Sequence, residues 1–343
     1  MTQYGPKMRA VVQDGYGSVD ALTVREAKMP VVADDEVLVR VRAASVHPDV
    51  WHVVMGRPHV LRIMGAGLRK PRHRIPGTDV SGHVESVGRN VTRLQPGDEV
   101  FGETLRGFQW HNGGAYAEYV AVPEDNLATK PDSITFEQAA CIPTAGLIAL
   151  FNLPMAERLQ PGHRVLVNGA GGGVGSIAVQ LAKAYGATVT GVDDASKLEM
   201  IRSLGADHVI DYREEDFTRG DERYDVIYDV PGNHPFSQCR RALTEDGTYV
   251  LIGHDGFGEA AGRWFGSMPR AIGLMVRSIF VSQLPSANFS PGPKSESMST
   301  LRGLIESGEL TAVVATTYSL NQVPEAIHHL ERGDARGRIV IVV

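Results

Sequence analysis

The chain has 343 residues, 43% of them hydrophobic and 22% charged, and carries a net charge of -6. That length is more than one ordinary core uses and favours two domains, while the acidic balance argues against general nucleic-acid binding. No apolar run approaches a membrane span, the opening MTQYGPKMRAVV lacks a signal peptide's apolar core, and Cys141 and Cys239 are too few for a disulfide framework or a structural zinc knot. The expected setting is reducing and cytoplasmic.

In chain order, roughly the first 125 residues read as β-rich. EVLVRVRAASV (36–46) alternates apolar and polar residues, and GTDVSGHVESVGRNVTRLQPGDEVFGE (77–103) strings short strands between glycines, with QPGDEV as a turn signal. From about residue 131 the texture changes. HRVLVNGAGGG is a buried-strand pattern running into glycines, and SIAVQLAKAYG sets Ile177, Ala178, Leu181, Ala182 and Tyr185 at helical spacing before Gly186. ATVTGVDD, SKLEMIRSLG, DHVIDY, YDVIYDV and GTYVLIGH continue the alternation, which implies βαβ units and a parallel sheet. AGRWFGSMPRAIGLMVRSIF (261–280) is apolar with three arginines. It reads as an interdomain lid or a contact between two copies, leading into a last strand of that sheet; the other reading is a membrane-surface segment. The tail holds a helix-like SMSTLRGLIESG, a strand-like AVVATTY, another helix and a closing GRIVIVV.

The strongest signal is VLVNGAGGGVGSIAVQLAK. A strand ending near Asn168 enters Ala170-Gly171-Gly172-Gly173-Val174-Gly175, and a helix leaves at Ser176. This is a dinucleotide fingerprint with alanine in the first glycine slot: Ala170 makes the turn, Gly172 lets the backbone approach a pyrophosphate, and Gly175 packs helix on strand. Gly173 and Val174 lie in the same loop, where the helix start offers N–H groups and a positive dipole end to phosphates. Asp193 and Asp194 follow 18 and 19 residues after Gly175, placed to grip a ribose 2′-hydroxyl. The expected cofactor is NAD(P)H. The two acids lean toward NADH, and Lys197, with Arg213, leaves NADPH open. Tyr212, closing DHVIDY, is counted with the cofactor residues.

With these residues placed, the chain resembles the medium-chain dehydrogenase/reductase superfamily, in its zinc-independent, quinone-oxidoreductase-like branch. MRAVVQDGYGSVDALTV is similar to the family's opening hairpin, GGAYAEYVAVPEDNLATKP and AACIPTAGLIAL to its crossing between domains, and LGADHVIDY and VPEAIHHLERGDARGRIVIVV to its later segments. The resemblance implies an α/β fold: a GroES-like β-rich catalytic domain (1–130 and 285–343) and a doubly wound Rossmann domain (131–284), with the active site in the cleft between them. It also implies that Gly253, where the strand in VLIGHDG ends, faces the nicotinamide, with His254 incidental.

Zinc-dependent relatives place a cysteine ligand in the segment matching AASVHPDVW and a Gly-His-Glu motif at GTDVSG. Here Ser45 and its neighbours replace the cysteine, and Thr78-Asp79 stands at the histidine motif. His47, Asp49 and His52 are close in sequence but point in different directions, so no metal is expected. The zinc-free branch usually has Asn-Pro where this chain has His47-Pro48, and both side chains can donate a hydrogen bond. His47 and Asp49 are therefore candidate catalytic residues, the alternative being that His47 merely caps a turn. Trp51 and Tyr116 join them as apolar walls with polar tips, with His52, Trp110 and His111 as further donors; core packing is the alternative for Trp110 and Tyr116. Cys141 and Cys239 read as buried packing. A basic stretch, Arg57, Arg62, Arg69, Lys70, Arg72 and Arg74, is either a solvated loop or a cleft rim favouring anionic ligands.

The resemblance implies hydride transfer from NAD(P)H to a quinone or an α,β-unsaturated carbonyl; a homodimer is expected as well, and the acidic balance argues against a nucleic-acid partner. Two other readings of the same residues are a zinc-free alcohol or aldehyde reductase and a dinucleotide-binding protein with little turnover.

Overall fold

The computed structural model describes residues 6–106, 111–152, 159–254, 257, 262–285 and 293–343. Chain contacts divide the molecule into two compact units, one of Met1–Thr144, Pro293–Glu306 and Ala312–Val343, the other of Ala145–Gly292 and Ser307–Thr311. In chain order the elements are β1 (Lys7–Val12), β2 (Thr23–Lys28), β3 (Glu36–Val46), α1 (Pro48–Met55), β4 (Asp79–Val87), β5 (Glu99–Glu103), β6 (Tyr119–Pro123), β7 (Leu127–Thr129), α2 (Phe136–Ala140) and α3 (Pro143–Asn152). There follow β8 (Arg164–Asn168), α4 (Gly173–Ala184), β9 (Thr188–Asp193), α5 (Leu198–Ser203), β10 (His208–Asp211), β11 (Tyr224–Asp229), α6 (Phe236–Cys239), β12 (Leu243–Leu251), α7 (Met268–Arg277), α8 (Lys294–Glu306), β13 (Val314–Ser319), α9 (Val323–Arg332) and β14 (Arg338–Val342).

The first unit is built on a seven-stranded sheet in the order β13-β14-β3-β4-β5-β7, with β6 also paired to β3, beside a two-stranded β1-β2 ribbon. β3 is its spine. The alternation of EVLVRVRAASV buries Val37, Val39, Val41 and Ala43 and leaves Arg40 and Arg42 outside. Its last residues pair antiparallel with β14, Ile339 opposite Val46, so two distant stretches of sequence meet at the strand end that precedes His47. Pro48, in the first turn of α1, suits a helix start, and Gly56 ends that helix at φ 59°, where its Cα lies against the Tyr16 ring.

The second unit is a parallel five-stranded sheet in the order β10-β9-β8-β11-β12. Parallel strands bring all five carboxyl ends to one edge, and β8, the first made, sits in the middle. Ile177, Ala178, Leu181 and Ala182 of α4 are all buried, as their spacing predicts. The core gathers Leu166, Val192, Phe217, Ile227, Phe236 and Tyr249, with Leu274 of α7 and Val281 packed on it. Both cysteines are buried, and burial pushes each thiol up to about 12.

The sequence predicts a further strand after SIFV. Among the described residues none forms. The chain passes β12 with one backbone hydrogen bond, from Tyr249 N–H to the Gln283 carbonyl at 2.8 Å. The Gln283 side chain reaches instead to the Thr244 carbonyl and to Arg240, which holds the segment as a turn.

Candidate active site

The glycine loop is built by the end of β8. Gly169 turns at φ 79°, Ala170 is fully buried, and Gly172 caps α4. A Cβ on Gly175 would lie 2.1 Å from the Gly169 carbonyl oxygen, so helix and turn touch backbone to backbone there. Among the described residues a Cβ on Gly172 would meet only the Gly169 carbonyl oxygen, at 3.5 Å. The N–H groups of Gly173, Val174 and Gly175 belong to the first turn of a twelve-residue helix and have no acceptor within it. The chain thus presents a cluster of backbone N–H donors at the start of α4.

Asp193, the last residue of β9, turns inward. It accepts hydrogen bonds from the N–H of Gly171 and of Asp194, both at 2.8 Å, and the Lys197 ammonium lies 3.5 Å away. Asp194 caps the turn Ala195–Lys197 through the Ser196 N–H and pairs with Arg213 at 2.7 Å. The Ser196 hydrogen bonds, with the Arg213 and Lys197 cations behind them, hold its carboxyl below the usual range. Two acids are thus matched by two bases. Tyr212, half exposed, follows β10 with Arg213 over its ring, and its N–H donates to the Asp193 carbonyl. Ala170, Gly172, Gly173, Val174, Gly175, Asp193, Asp194, Lys197 and Tyr212 therefore gather at the ends of β8, β9 and β10. Gly253 lies on the far side of the edge, after β12, where a Cβ would come 2.8 Å from the Val230 carbonyl oxygen.

Between these groups runs a segment that carries no recognisable motif. Asp229, at the end of β11 and fully buried, accepts hydrogen bonds from the Asn168 amide (2.8 Å), the Gly232 N–H (3.0 Å) and the Tyr249 hydroxyl (2.7 Å). Its signal in the sequence was only an acid ending an apolar run, YDVIYD, before PGN.

In the first unit His47 is buried, its Nε2 in hydrogen-bond contact with Thr78 Oγ1 at 2.7 Å. Its Nδ1 lies 3.7 Å from the half-exposed Asp49 carboxylate. Burial lowers the His47 pKa, opposed by Asp79 and Asp49 and assisted by Arg338. Asp79 is fully buried and accepts from Ser45 Oγ (2.6 Å), Thr144 N–H (2.9 Å) and Thr144 Oγ1 (2.5 Å). The structure thus brings Asp49, His47 and Thr78 together in one row.

The polar tips of the two aromatic candidates are engaged within the same unit. The Trp51 indole donates to Glu331 at 2.5 Å, and the buried Tyr116 hydroxyl donates to the Ser45 carbonyl at 2.9 Å. Burial drives the Tyr116 phenol far above its ordinary pKa. His52 Nδ1 contacts the Arg57 carbonyl, and His111 stacks beside His73. Trp110 lies outside the described residues. Of the basic stretch, Arg62 packs over Tyr16 and Arg74 pairs with Asp14, while Arg69, Lys70 and Arg72 are exposed. Among the described residues no three His, Cys, Asp or Glu side chains gather as a metal site requires. Nor is any helix among them long and apolar enough to cross a membrane.

A parallel sheet with a glycine turn leading into the helix after β8, in one chain with a GroES-like β unit, defines a two-domain dehydrogenase. Residues 33–132 match the alcohol dehydrogenase GroES-like domain family, and residues 204–341 the zinc-binding dehydrogenase family. The chain is 31% identical to 2-methylene-furan-3-one reductase of Solanum lycopersicum, over 98% of its own length and 79% of that protein's. It is 32% identical, with the same coverage, to the chloroplastic NADPH-dependent alkenal/one oxidoreductase of Arabidopsis thaliana. It superposes on the quinone oxidoreductase of Coxiella burnetii with a TM-score of 0.81 at 28% identity, covering 98% of this chain and all of that one. The chain belongs to the medium-chain dehydrogenase/reductase superfamily, in its quinone-oxidoreductase-like branch, and is a nicotinamide-dependent oxidoreductase.

Proposed function

We propose that this protein reduces quinones or the carbon–carbon double bond of α,β-unsaturated carbonyls with NAD(P)H, without zinc. The observation that carries the reading is the Asp49–His47–Thr78 row. It occupies the two segments where zinc-dependent relatives carry metal ligands, and a threonine hydroxyl in hydrogen-bond contact with a neutral imidazole is a proton-handling pair rather than a zinc set. The relatives' names, an enone-type reductase and an alkenal/one oxidoreductase, point the same way.

When bound, NAD(P)H supplies the hydride. The chain's own residues do the rest. The first-turn N–H groups of α4 and the backbone at Gly172 hold the pyrophosphate, and the Asp194–Arg213 pair with Tyr212 and Lys197 meets the ribose end. The balance of acids and bases there supports use of either cofactor, with the lean toward NADH carried by Asp194. Gly253 meets the nicotinamide through its backbone. As charge grows on the acceptor oxygen, Thr78 donates a hydrogen bond to it, His47 refills the hydroxyl proton, and Asp49 links the imidazole to solvent. Trp51 and Tyr116, buried and with their polar tips engaged, serve in this reading as packing behind the row.

A reducing, cytoplasmic setting belongs to the same proposal, supported by the two unpaired buried cysteines. So does a homodimer, supported by the cluster of exposed apolar side chains on and around α7. No nucleic-acid partner is proposed, in keeping with the net charge of -6.

The test is oxidation of NADH and NADPH, side by side, with a quinone, an enone and a simple aldehyde, with and without a chelator. Enone- or quinone-dependent oxidation that the chelator leaves intact is the expected result. Aldehyde reduction alone favours an alcohol or aldehyde reductase, and tight binding without oxidation by any acceptor favours a binding protein.

A further inference from the structure

One buried carboxylate ties together three adjacent strands of the parallel sheet, β8, β11 and the edge strand β12. Asp229 receives the Asn168 amide from the end of β8, the Gly232 N–H from the loop after its own strand, and the Tyr249 hydroxyl from β12. The Asn168 amide also reaches Asn233 at 3.0 Å, and the Val230 N–H donates to the Asn168 carbonyl at 3.1 Å. Arg270 of α7 closes the outside. It donates to the carbonyls of Gly232 and His234 and lies 3.3 Å from the Tyr249 hydroxyl.

This array fixes the loop 230–233 as a wedge between the two segments proposed to hold the dinucleotide. On one side a Cβ on Gly169 would meet Pro231 Cδ at 2.9 Å; on the other, the Gly253 position lies against the Val230 carbonyl. Gly232 itself stands at φ 60°, a left-handed turn, and a Cβ there would sit 2.7 Å from Leu251 and 2.9 Å from the Gly253 carbonyl. Nothing in the fold alone calls for an acid at this spot. A buried carboxylate is expensive unless its oxygens are filled, and here all its hydrogen bonds go to groups that set the relative height of two loops. Among the described residues no lysine or arginine nitrogen lies within ion-pairing distance of it, and the Arg270 charge reaches it through the Tyr249 hydroxyl.

We propose that Asp229 is a positioning residue of the dinucleotide site, holding the glycine turn after β8 and the Gly253 segment after β12 at a fixed separation through the 230–233 wedge, with Arg270 as its outer brace. This rests on the dinucleotide placement proposed above. It predicts that binding of the dinucleotide, and not of the carbonyl acceptor, is what the carboxylate controls.

The test is a fluorescence titration with NADH and NADPH, needing no turnover, on Asp229→Ala, Asp229→Asn and Arg270→Gln, with acceptor KM measured alongside. Asn keeps one oxygen for Asn168 and Gly232 and can turn its amide to the Tyr249 oxygen, so it restores most of the wedge. Asp229→Ala is expected to weaken dinucleotide binding about 30-fold or more, Asp229→Asn about 3-fold, and Arg270→Gln between about 3- and 10-fold, each with acceptor KM unchanged. Should Asp229→Ala not fold, the ranking of the other two against wild type carries the test. Loss of active fraction with unchanged affinity in what remains, or equal rises in acceptor and dinucleotide KM, would overturn the positioning role. Wild-type protein that binds neither dinucleotide would overturn the function itself, a result distinct from wild-type binding with unaffected variants, which overturns the positioning role alone.

Discussion

At the scale of single residues, His47 and the two acids after β9 carry the sharpest consequences. Burial depresses the His47 pKa, so the folded protein holds the imidazole neutral while the unfolded chain protonates it near pH 6.5. Between the two values the unfolded state binds more protons, so stability rises with pH there. The contribution is complete above about pH 6.5 and is lost as pH falls through the folded value. The melting temperature should therefore fall on acidification, and His47→Asn, which cannot titrate, should flatten that limb. The same Asn keeps a hydrogen-bond donor beside Thr78 but cannot pass a proton, so it should lower kcat less than His47→Ala does, the alanine costing about 10- to 100-fold with dinucleotide affinity unchanged. Equal kcat in the alanine variant would remove His47 from the proposed proton row. Asp193 and Asp194, alike in sequence, separate in space. Asp193 is spent on the glycine loop and Lys197, so Asp193→Ala leaves buried donors unmet and should cost about 1–3 kcal/mol in denaturant unfolding. Asp194, facing Arg213 nearer the surface, is the acid whose change to Ser should shift the NADPH/NADH ratio upward; an unchanged ratio would end the argument that acids set the choice.

Among the elements, α7 is inverted. Ile272, Met275, Val276 and Ile279 recur at helical spacing, the pattern that normally marks a core face, yet they are 51, 52, 55 and 71% exposed. The face turned to the sheet carries Leu274 and Arg270, the latter drawn in by the loop after β11. A polar obligation inside has rotated the apolar stripe outward. Periodicity gives the helix but cannot give which neighbour it serves, and the same blindness hid Asp229, whose side-chain partners Asn168 and Tyr249 lie on two other strands, 61 residues before it and 20 after it. By contrast β3, β8 and α4 were legible because alternation, a buried run and a glycine turn are local signals that their packing then reuses. Ile279→Ser with Phe280→Ser should change unfolding stability by no more than about 0.5 kcal/mol per site, and sedimentation velocity should show the loss of a dimer. A species unchanged in mass would mean that copies do not meet through this face.

For the molecule as a whole, family-level motifs in order along the chain conveyed the architecture, and the glycine fingerprint conveyed the cofactor class. What they could not convey was the use made of each polar tip. Trp51, Tyr116 and His47 lie in similar sequence surroundings, and only three-dimensional neighbours show two engaged by Glu331 and Ser45 and the third in a row with Thr78 and Asp49. The pairing of β14 with β3 bears on how the protein is made. Val46 and Ile339 stand opposite each other although about 290 residues separate them. At ribosomal speeds of roughly 5–20 residues per second, the strand end before His47 waits about 15–60 s for its partner. The parallel-sheet unit, Ala145–Gly292, emerges in the meantime. The part begun first is finished last, and until then a row of unpaired backbone groups stands open at the margin of β3, the kind of surface that holding chaperones cover on a nascent chain.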